Sequence, residues 1–399
     1  MKGNPISDNE RIITIDIIRG IALMAILMAN MVAFKTPVFQ ESNFVLEGKL
    51  IVEGTFNQIA DFLLHLFIHG KFYPMFSLLF GLGFFLFYDR LKQKELNGNR
   101  YFTRRALFLL LIGILHVTFI WSGDILHTYA IAGLFLMFFV NRSPKVILIW
   151  AISLVFVSMV IMFLSLLGYG ALIQFDSELQ VTRQQLFEQA IIILSNGTYA
   201  EILEFRLLNE VSLMILNLIF TLPNVLGLFL IGLYMGKKGM FHNIEGSLPL
   251  WKKVRIHSFW SGGLLAALFV FLLYNGLNTP YWLSYTLAYT INIIGGPLLM
   301  LWYVSSIVLA LQNKDRMKRL MPIASYGRMA LTNYIAQSII CVFIFYGFGF
   351  GLFGSVGIAV GIGIAMVIIS FQVLVSHYWL TKYKQGPLEA LWRKWTYSK

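Results

Sequence analysis

Ten long apolar stretches divide this sequence, and the basic residues between them gather almost entirely on one side. A membrane-spanning helix needs about 20 mostly apolar residues. Runs of that kind lie near residues 15–34, 71–88, 104–121, 125–140, 146–168, 207–236, 257–275, 283–311, 324–346 and 356–380. Charged residues make up only 13% of the 399, against roughly 25% in a soluble domain, so the chain lacks the polar surface to cover itself in water. The expected fold is all-α: one integral membrane domain over residues 1–399, a polytopic bundle of about ten transmembrane helices in the lipid bilayer.

With the N-terminus placed in the cytoplasm, all but five of the 31 Lys and Arg residues fall on the inner side. The five are Lys35, Lys49, Lys71, Arg183 and Arg206. Cationic loops stay cytoplasmic, which predicts a multi-pass membrane protein with both termini inside. It also accounts for the net charge of +12 without a nucleic-acid partner. The first run, Ile17 to Phe34, has Arg19 near its start and no small-residue cleavage site after it. It reads as a retained span. The single cysteine, Cys341, lies in an apolar run, which excludes a disulfide framework and a cysteine metal site.

Three segments fall outside the spans. Residues 55–69 carry Asp61, His65 and His69 at i,i+4 spacing. A full span there would swap the sides of all later loops, so an interfacial or half-inserted helix with its polar stripe in water is expected. In the outer segment 169–206, Phe187, Ala190, Ile191 and Leu194 recur at helical spacing, the mark of an amphipathic helix on the membrane surface. The tail, 384–399, predicts a short cytoplasmic helix opened by Pro387, with tryptophan at the interface.

Polar groups inside spans are expensive and turn toward the bundle interior or a wet cavity. Asp16 and Arg19 are three apart and can pair at the inner end of the first span. Asn30 stands about 15 Å further up the helix, where its amide must meet another helix or a ligand. His116 lies about 7.5 Å below the Trp121 turn. Gly123 permits a reversal that brings Asp124 back over it, and Asp124 shares a helix face with His127. A carboxylate that orients an imidazole is what a general base needs; it is equally a way to tie two helices together. Asp61, His65, His69 and Lys71 fit an exposed polar face better than a metal site, because no third ligand completes the motif. In the ninth span, Arg328 sits at the inner interface, and Thr332, Asn333, Gln337 and Ser338 form a strip suited to helix–helix hydrogen bonds or to a substrate groove. Gly349-Phe-Gly351-Leu-Phe-Gly354 matches the dinucleotide fingerprint, but no strand precedes it, and that context rejects it.

Several phrases carry a family likeness: Ile15-Asp16-Ile17-Ile18-Arg19-Gly20-Ile21-Ala22, Lys71-Phe72-Tyr73-Pro74-Met75-Phe76-Ser77, Gly123-Asp124-Ile125-Leu126, Gly327-Arg328-Met329-Ala330-Leu331-Thr332-Asn333-Tyr334, and Gly386-Pro387-Leu388-Glu389 followed by Leu391-Trp392-Arg393. From about residue 11 to 397 the chain resembles the YeiB family of bacterial membrane proteins, a domain of unknown function. That family is similar, more distantly, to transmembrane acyltransferases such as heparan-α-glucosaminide N-acetyltransferase and bacterial sugar O-acyltransferases. The resemblance implies an active-site role for Asn30 and a histidine between the first two spans, for which His65 or His69 is nearest. Arg105 and His116 have the Arg-to-His spacing of the O-acyltransferases, on the third span instead of the first.

The expectation is a transmembrane acyltransferase moving an acyl group from cytosolic acyl-CoA to an acceptor outside, whether small molecule, lipid or glycan. His116, Asp124 and Asn30 would be catalytic. Arg105, Arg328, His127, Asn333, Gln337 and His69 would bind substrate. Acyl-CoA is the donor, no metal is expected, and a homodimer is compatible with the sequence. The alternative is a transporter or flippase using the same residues as a substrate or proton path.

Overall fold

The computed structural model describes residues 12–37 and 52–398. Lys49, and Arg11 at the start of the family likeness, lie outside them. The described residues form helices and no strand. In chain order these are α1 (Ile13–Lys35), α2 (Thr55–Phe67), α3 (Phe72–Gln93), α4 (Gly98–Phe119), α5 (Leu126–Leu136), α6 (Pro144–Phe175), α7 (Ser177–Asn196), α8 (Tyr199–Arg206), α9 (Ser212–Lys237), α10 (Ile244–Leu273), α11 (Tyr281–Ala310), α12 (Lys314–Arg319), α13 (Met321–Arg328), α14 (Ala330–Phe345), α15 (Ile358–Lys382) and α16 (Pro387–Tyr397).

Among the described residues eight helical units are long and apolar enough to cross a membrane. One of them joins α2 and α3 through a break at residues 68–71 into a 39-residue unit, Thr55–Gln93. The other two expected spans differ from simple rods. The ninth is broken at Met329, where α13 and α14 meet at 81°. The fourth, Leu126–Phe139 with its 3-10 end, is short: 14 residues reach about 21 Å, less than the hydrocarbon thickness of about 30 Å. Sequence hydropathy sees neither effect, because it registers composition and not direction.

Helix α1 is the hub. It packs against α3, α13, α14 and α15, and Ile17, Ile18, Ala22 and Leu23 are wholly buried. Asp16 and Arg19 pair at 3.0 Å as their spacing predicts. The α1–α13 crossing requires glycine on both sides. A Cβ at Gly327 would strike the Asp16 carbonyl, and one at Gly20 would strike the carbonyl of Ile323. Helix α6 is the opposite case. Only 17% of its apolar window is inside the protein, against 50% for α1, so its surface is left to lipid. Helix α7 falls within the segment expected on the membrane surface, and Ala190 and Leu194 of its stripe are buried against the cluster of Trp121, Phe345 and Tyr346.

The described ends of the chain lie together at a basic end of the bundle. Here α16 packs across α4 and α14. Glu389 fastens it: Oε1 accepts the backbone N–H of Leu331 at 2.8 Å and of Thr332 at 3.1 Å, and Oε2 accepts the Thr332 hydroxyl at 2.6 Å. The first amides of a helix have no partner within it, so a carboxylate from α16 completes the start of α14.

Candidate functional site

A cavity of about 2040 Å³ runs through the bundle from the basic end to the opposite end. Its basic end is lined by Arg19, Arg90, Arg105, Arg328, Lys384 and Arg393. Asn30, Tyr73, Tyr129, Trp121, Gly123 and Tyr334 line its middle, and Lys35, Asp61, His65, His69, Tyr285, Tyr289 and Asn292 its opposite end. Of the expected site residues, Asn30, Arg105, Arg328 and His69 line this space, whereas His116, Asp124, His127, Asn333 and Gln337 do not.

At the basic end the Arg105 guanidinium lies 3.9 Å from the Trp392 ring and 5.2 Å from that of Phe87. Trp392 Nε1 donates to the Arg105 carbonyl at 2.8 Å, so α16 holds the arginine through ring and backbone together. Arg328 donates to the Lys384 carbonyl at 3.1 Å.

At the opposite end the polar stripe of α2 faces inward, which corrects the expectation of a stripe in water. Asp61 and His65 are buried, while Phe56, Ile59, Phe62 and Phe67 on the other face are exposed. The inversion has a local cause. Helix α2 packs on α10 and α15, and the Tyr274 hydroxyl of the α10 C-cap donates to Asp61 Oδ2 at 2.7 Å. The break after α2 leaves the His65 carbonyl without a helical donor, and wholly buried Lys71 supplies one at 2.7 Å. His65 Nδ1 lies 2.9 Å from the Asp61 carbonyl oxygen and 3.3 Å from its carboxylate. A carbonyl only accepts, so Nδ1 carries the proton and Nε2 keeps its lone pair. This is an oriented base on a cavity wall. The His69 ring lies 4.9 Å from that of His65. Among the described residues no three His, Cys, Asp or Glu side chains are grouped to hold a metal ion.

The second imidazole–carboxylate group assembles as its spacing predicts. His116 Nδ1 is 2.9 Å from Asp124 Oδ1. Asp124 Oδ2 takes the His127 backbone N–H at 2.9 Å and approaches its Nδ1 at 2.7 Å. Two glycines make this possible. A Cβ at Gly113 would strike the His127 backbone, so α4 and α5 could not close at this level. One at Gly123 would strike the Trp121 ring. The need at Gly123 is therefore space, not the left-handed conformation that a reversal suggests. His116 is 1% exposed, with the Tyr334 ring 5.4 Å away and Trp121 at 6.4 Å. Both rings line the cavity, so they stand between it and the imidazole.

Beside this group is a buried ion pair that sequence reasoning missed. Arg206 and Glu210, each 1% exposed, are 3.4 Å apart across the π-helical turn Leu207–Val211. Arg206 donates to the carbonyls of Val117 at 2.8 Å and Ile120 at 3.1 Å, the open end of α4. Counting Arg206 as a loop cation hid it. The i,i+4 pairing with an acid inside an apolar run was the available signal. Asn333 and Gln337 join a closed network with Tyr326, Gln372 and Ser376. Their amides bind helices together.

Comparison with known proteins gives a consistent answer. The uncharacterized protein YxaH of Bacillus subtilis (strain 168) is 32% identical over 98% of this chain and 96% of its own length. The chain belongs to the YeiB family. The uncharacterized protein YeiB of Escherichia coli (strain K12) is 27% identical over 97% of this chain and 96% of itself. An uncharacterized 39.9 kDa protein encoded in the amylase 3' region of Bacillus acidopullulyticus is 29% identical over 99% and 96%. A family model described as a protein of unknown function (DUF418) matches residues 235–399. These relatives align along almost the whole chain.

Proposed function

We propose that this chain is an acyltransferase of the bacterial cell membrane. It takes an acyl group from a cytosolic acyl-CoA held at the basic end and passes it to a hydroxyl or amine reaching the cavity from the opposite, outer end. The observation that carries this reading is the two-ended cavity, with arginines at one mouth and an oriented His–Asp pair near the other. Guanidinium groups suit the phosphates of a CoA ester, and the middle, with Asn30, Tyr73 and Tyr129 on its wall, suits its pantetheine arm.

In this scheme the acceptor oxygen or nitrogen attacks the thioester carbonyl carbon. The new C–O or C–N bond forms, the C–S bond breaks, and the acceptor proton passes to His65 Nε2 before it reaches the leaving thiolate. Asp61 stabilises the imidazolium that forms between those steps. Asn30, on the middle wall, donates to the oxyanion. His65 takes the role that the sequence assigns to His116, because a base must reach the proton it removes.

Calorimetry with acetyl-CoA on the detergent-purified protein tests the donor half. Binding that weakens about tenfold, or 1.4 kcal/mol, with Arg105→Ala and survives His65→Gln is expected. A well-folded wild type that binds no acetyl-CoA overturns the reading. One feature favours the transporter alternative: the α13–α14 break lies on the cavity, and discontinuous helices at a central site are a transporter device. Proton-coupled flux in proteoliposomes, without thioester consumption, would establish that alternative.

A further inference from the structure

The cavity has a third reach, toward the bilayer. Besides the walls described above it is lined by Met162 of α6 and Met214 of α9, neither of them buried. These helices touch in their basic halves, where Gly227 lies against the Ala151 carbonyl and the Ser158 hydroxyl reaches Phe220 O at 3.5 Å. Met162 is about 6 Å beyond that contact along α6, and Met214 about 9 Å beyond it along α9. Past this point the two helices lean on different partners. Helix α6 turns to α11, with Gly170 against Trp282 and Leu166 on the cluster of Phe269, Tyr281 and Tyr285. Helix α9 turns to α1 and α4: Leu213 packs on the cluster of Leu27, Phe34 and Trp121, and Arg206 just before it binds the end of α4. Among the described residues the pair therefore shares contacts toward the basic end and rests on different partners toward the outer end, and the cavity reaches the fissure between them at the two methionines. Leu164, Ile215, Leu216 and Ile219, beside them on the same helices, are exposed and face lipid.

We infer that this fissure is a side entrance from the bilayer, and that the ligand it admits is a membrane glycerolipid with a hydroxyl- or amine-bearing headgroup. The match is chemical at both ends. Methionine side chains give an apolar, adaptable edge for acyl chains. Beyond them lie Tyr285, Tyr289, Asn292, Asp61 and His65, polar partners for a headgroup. The volume agrees: about 2040 Å³ is well above the roughly 300–1,000 Å³ of a pocket for one drug-sized ligand, so a donor and an amphiphile can be held together. A lipid entering this way keeps its tails in the fissure and needs no passage through water. That the lipid is the acyl acceptor rests on the acyl-transfer reading; that it binds here does not.

The test uses full-length protein in vesicles of phosphatidylethanolamine and phosphatidylglycerol, doped with phosphatidylglycerol carrying a photoreactive diazirine at the glycerol end of its acyl chain, where it can reach both the fissure and the headgroup's neighbours. Crosslinked residues are mapped by mass spectrometry. Labels are expected on Met162, Met214 and cavity-facing Tyr285 or Tyr289, as well as on outward Leu164 and Ile219. Met162→Trp and Met214→Trp, made separately, should each remove most cavity labels and leave the outward ones. Labelling of outward residues alone overturns the inference, as does cavity labelling that neither variant diminishes. Acetyl-CoA calorimetry on the same preparation separates the two ideas. CoA binding without cavity labels leaves acyl transfer standing and removes the lipid; cavity labels without CoA binding do the reverse.

Discussion

The molecule contains two imidazole–carboxylate groups of nearly the same chemistry in opposite settings. Asp61–His65 lines the cavity, and its histidine has a fixed tautomer. The His116–Asp124–His127 group is tighter in its distances, yet aromatic rings and a glycine-packed turn close it off from that cavity. Good geometry is therefore not access. In the first group the carboxylate serves a ring that lines the cavity; in the second it binds α4 to α5.

The largest expected effect tests that division directly. His65→Gln should lower thioester turnover by about 10²–10⁴-fold, the usual contribution of general acid–base catalysis, while His116→Gln keeps most of it; the reverse result would exchange the two roles. Next comes stability. Asp124→Ala leaves the buried His116 imidazole and the half-buried His127 without their carboxylate, and removing one partner of a buried pair costs about 3–5 kcal/mol. Its detergent melting temperature should fall well below that of Asp61→Asn, whose change should show mainly in turnover. A smaller effect concerns the basic end: Arg105→Ala should weaken acetyl-CoA binding about tenfold, with His116→Gln at the wild-type value in the same calorimeter. The finest comparison is chemical access. Diethylpyrocarbonate should modify His65 well before His116, read peptide by peptide, and comparable rates would mean that Tyr334 and Trp121 do not shield the inner ring.

Much of the fold was legible because hydropathy and charge asymmetry are one-dimensional signals. The ten apolar runs, the Asp16–Arg19 pair, the proline-opened tail helix and the His116–Asp124 contact all follow from spacing along a helix. What was illegible is which way a face turns. The α2 stripe reads the same whether it meets water or Tyr274. Asn333 and Gln337 read the same whether they line a groove or bind Tyr326 and Ser376. The five exceptions to the charge asymmetry show it best. Lys35, Lys71 and Arg206 are buried, each donating to a backbone carbonyl, and no count of loop cations distinguishes such a residue from a solvated one.

The Glu389 clasp bears on the order in which the molecule is made. Helix α14 leaves the ribosome with its first amides unmet, and the carboxylate that satisfies them comes 58 residues later. The same late helix brings Trp392 to Arg105, synthesised 287 residues earlier. The basic end cannot take its final form before α16 has been made, so a chain still short of that helix can hold an inserted bundle without a finished basic mouth.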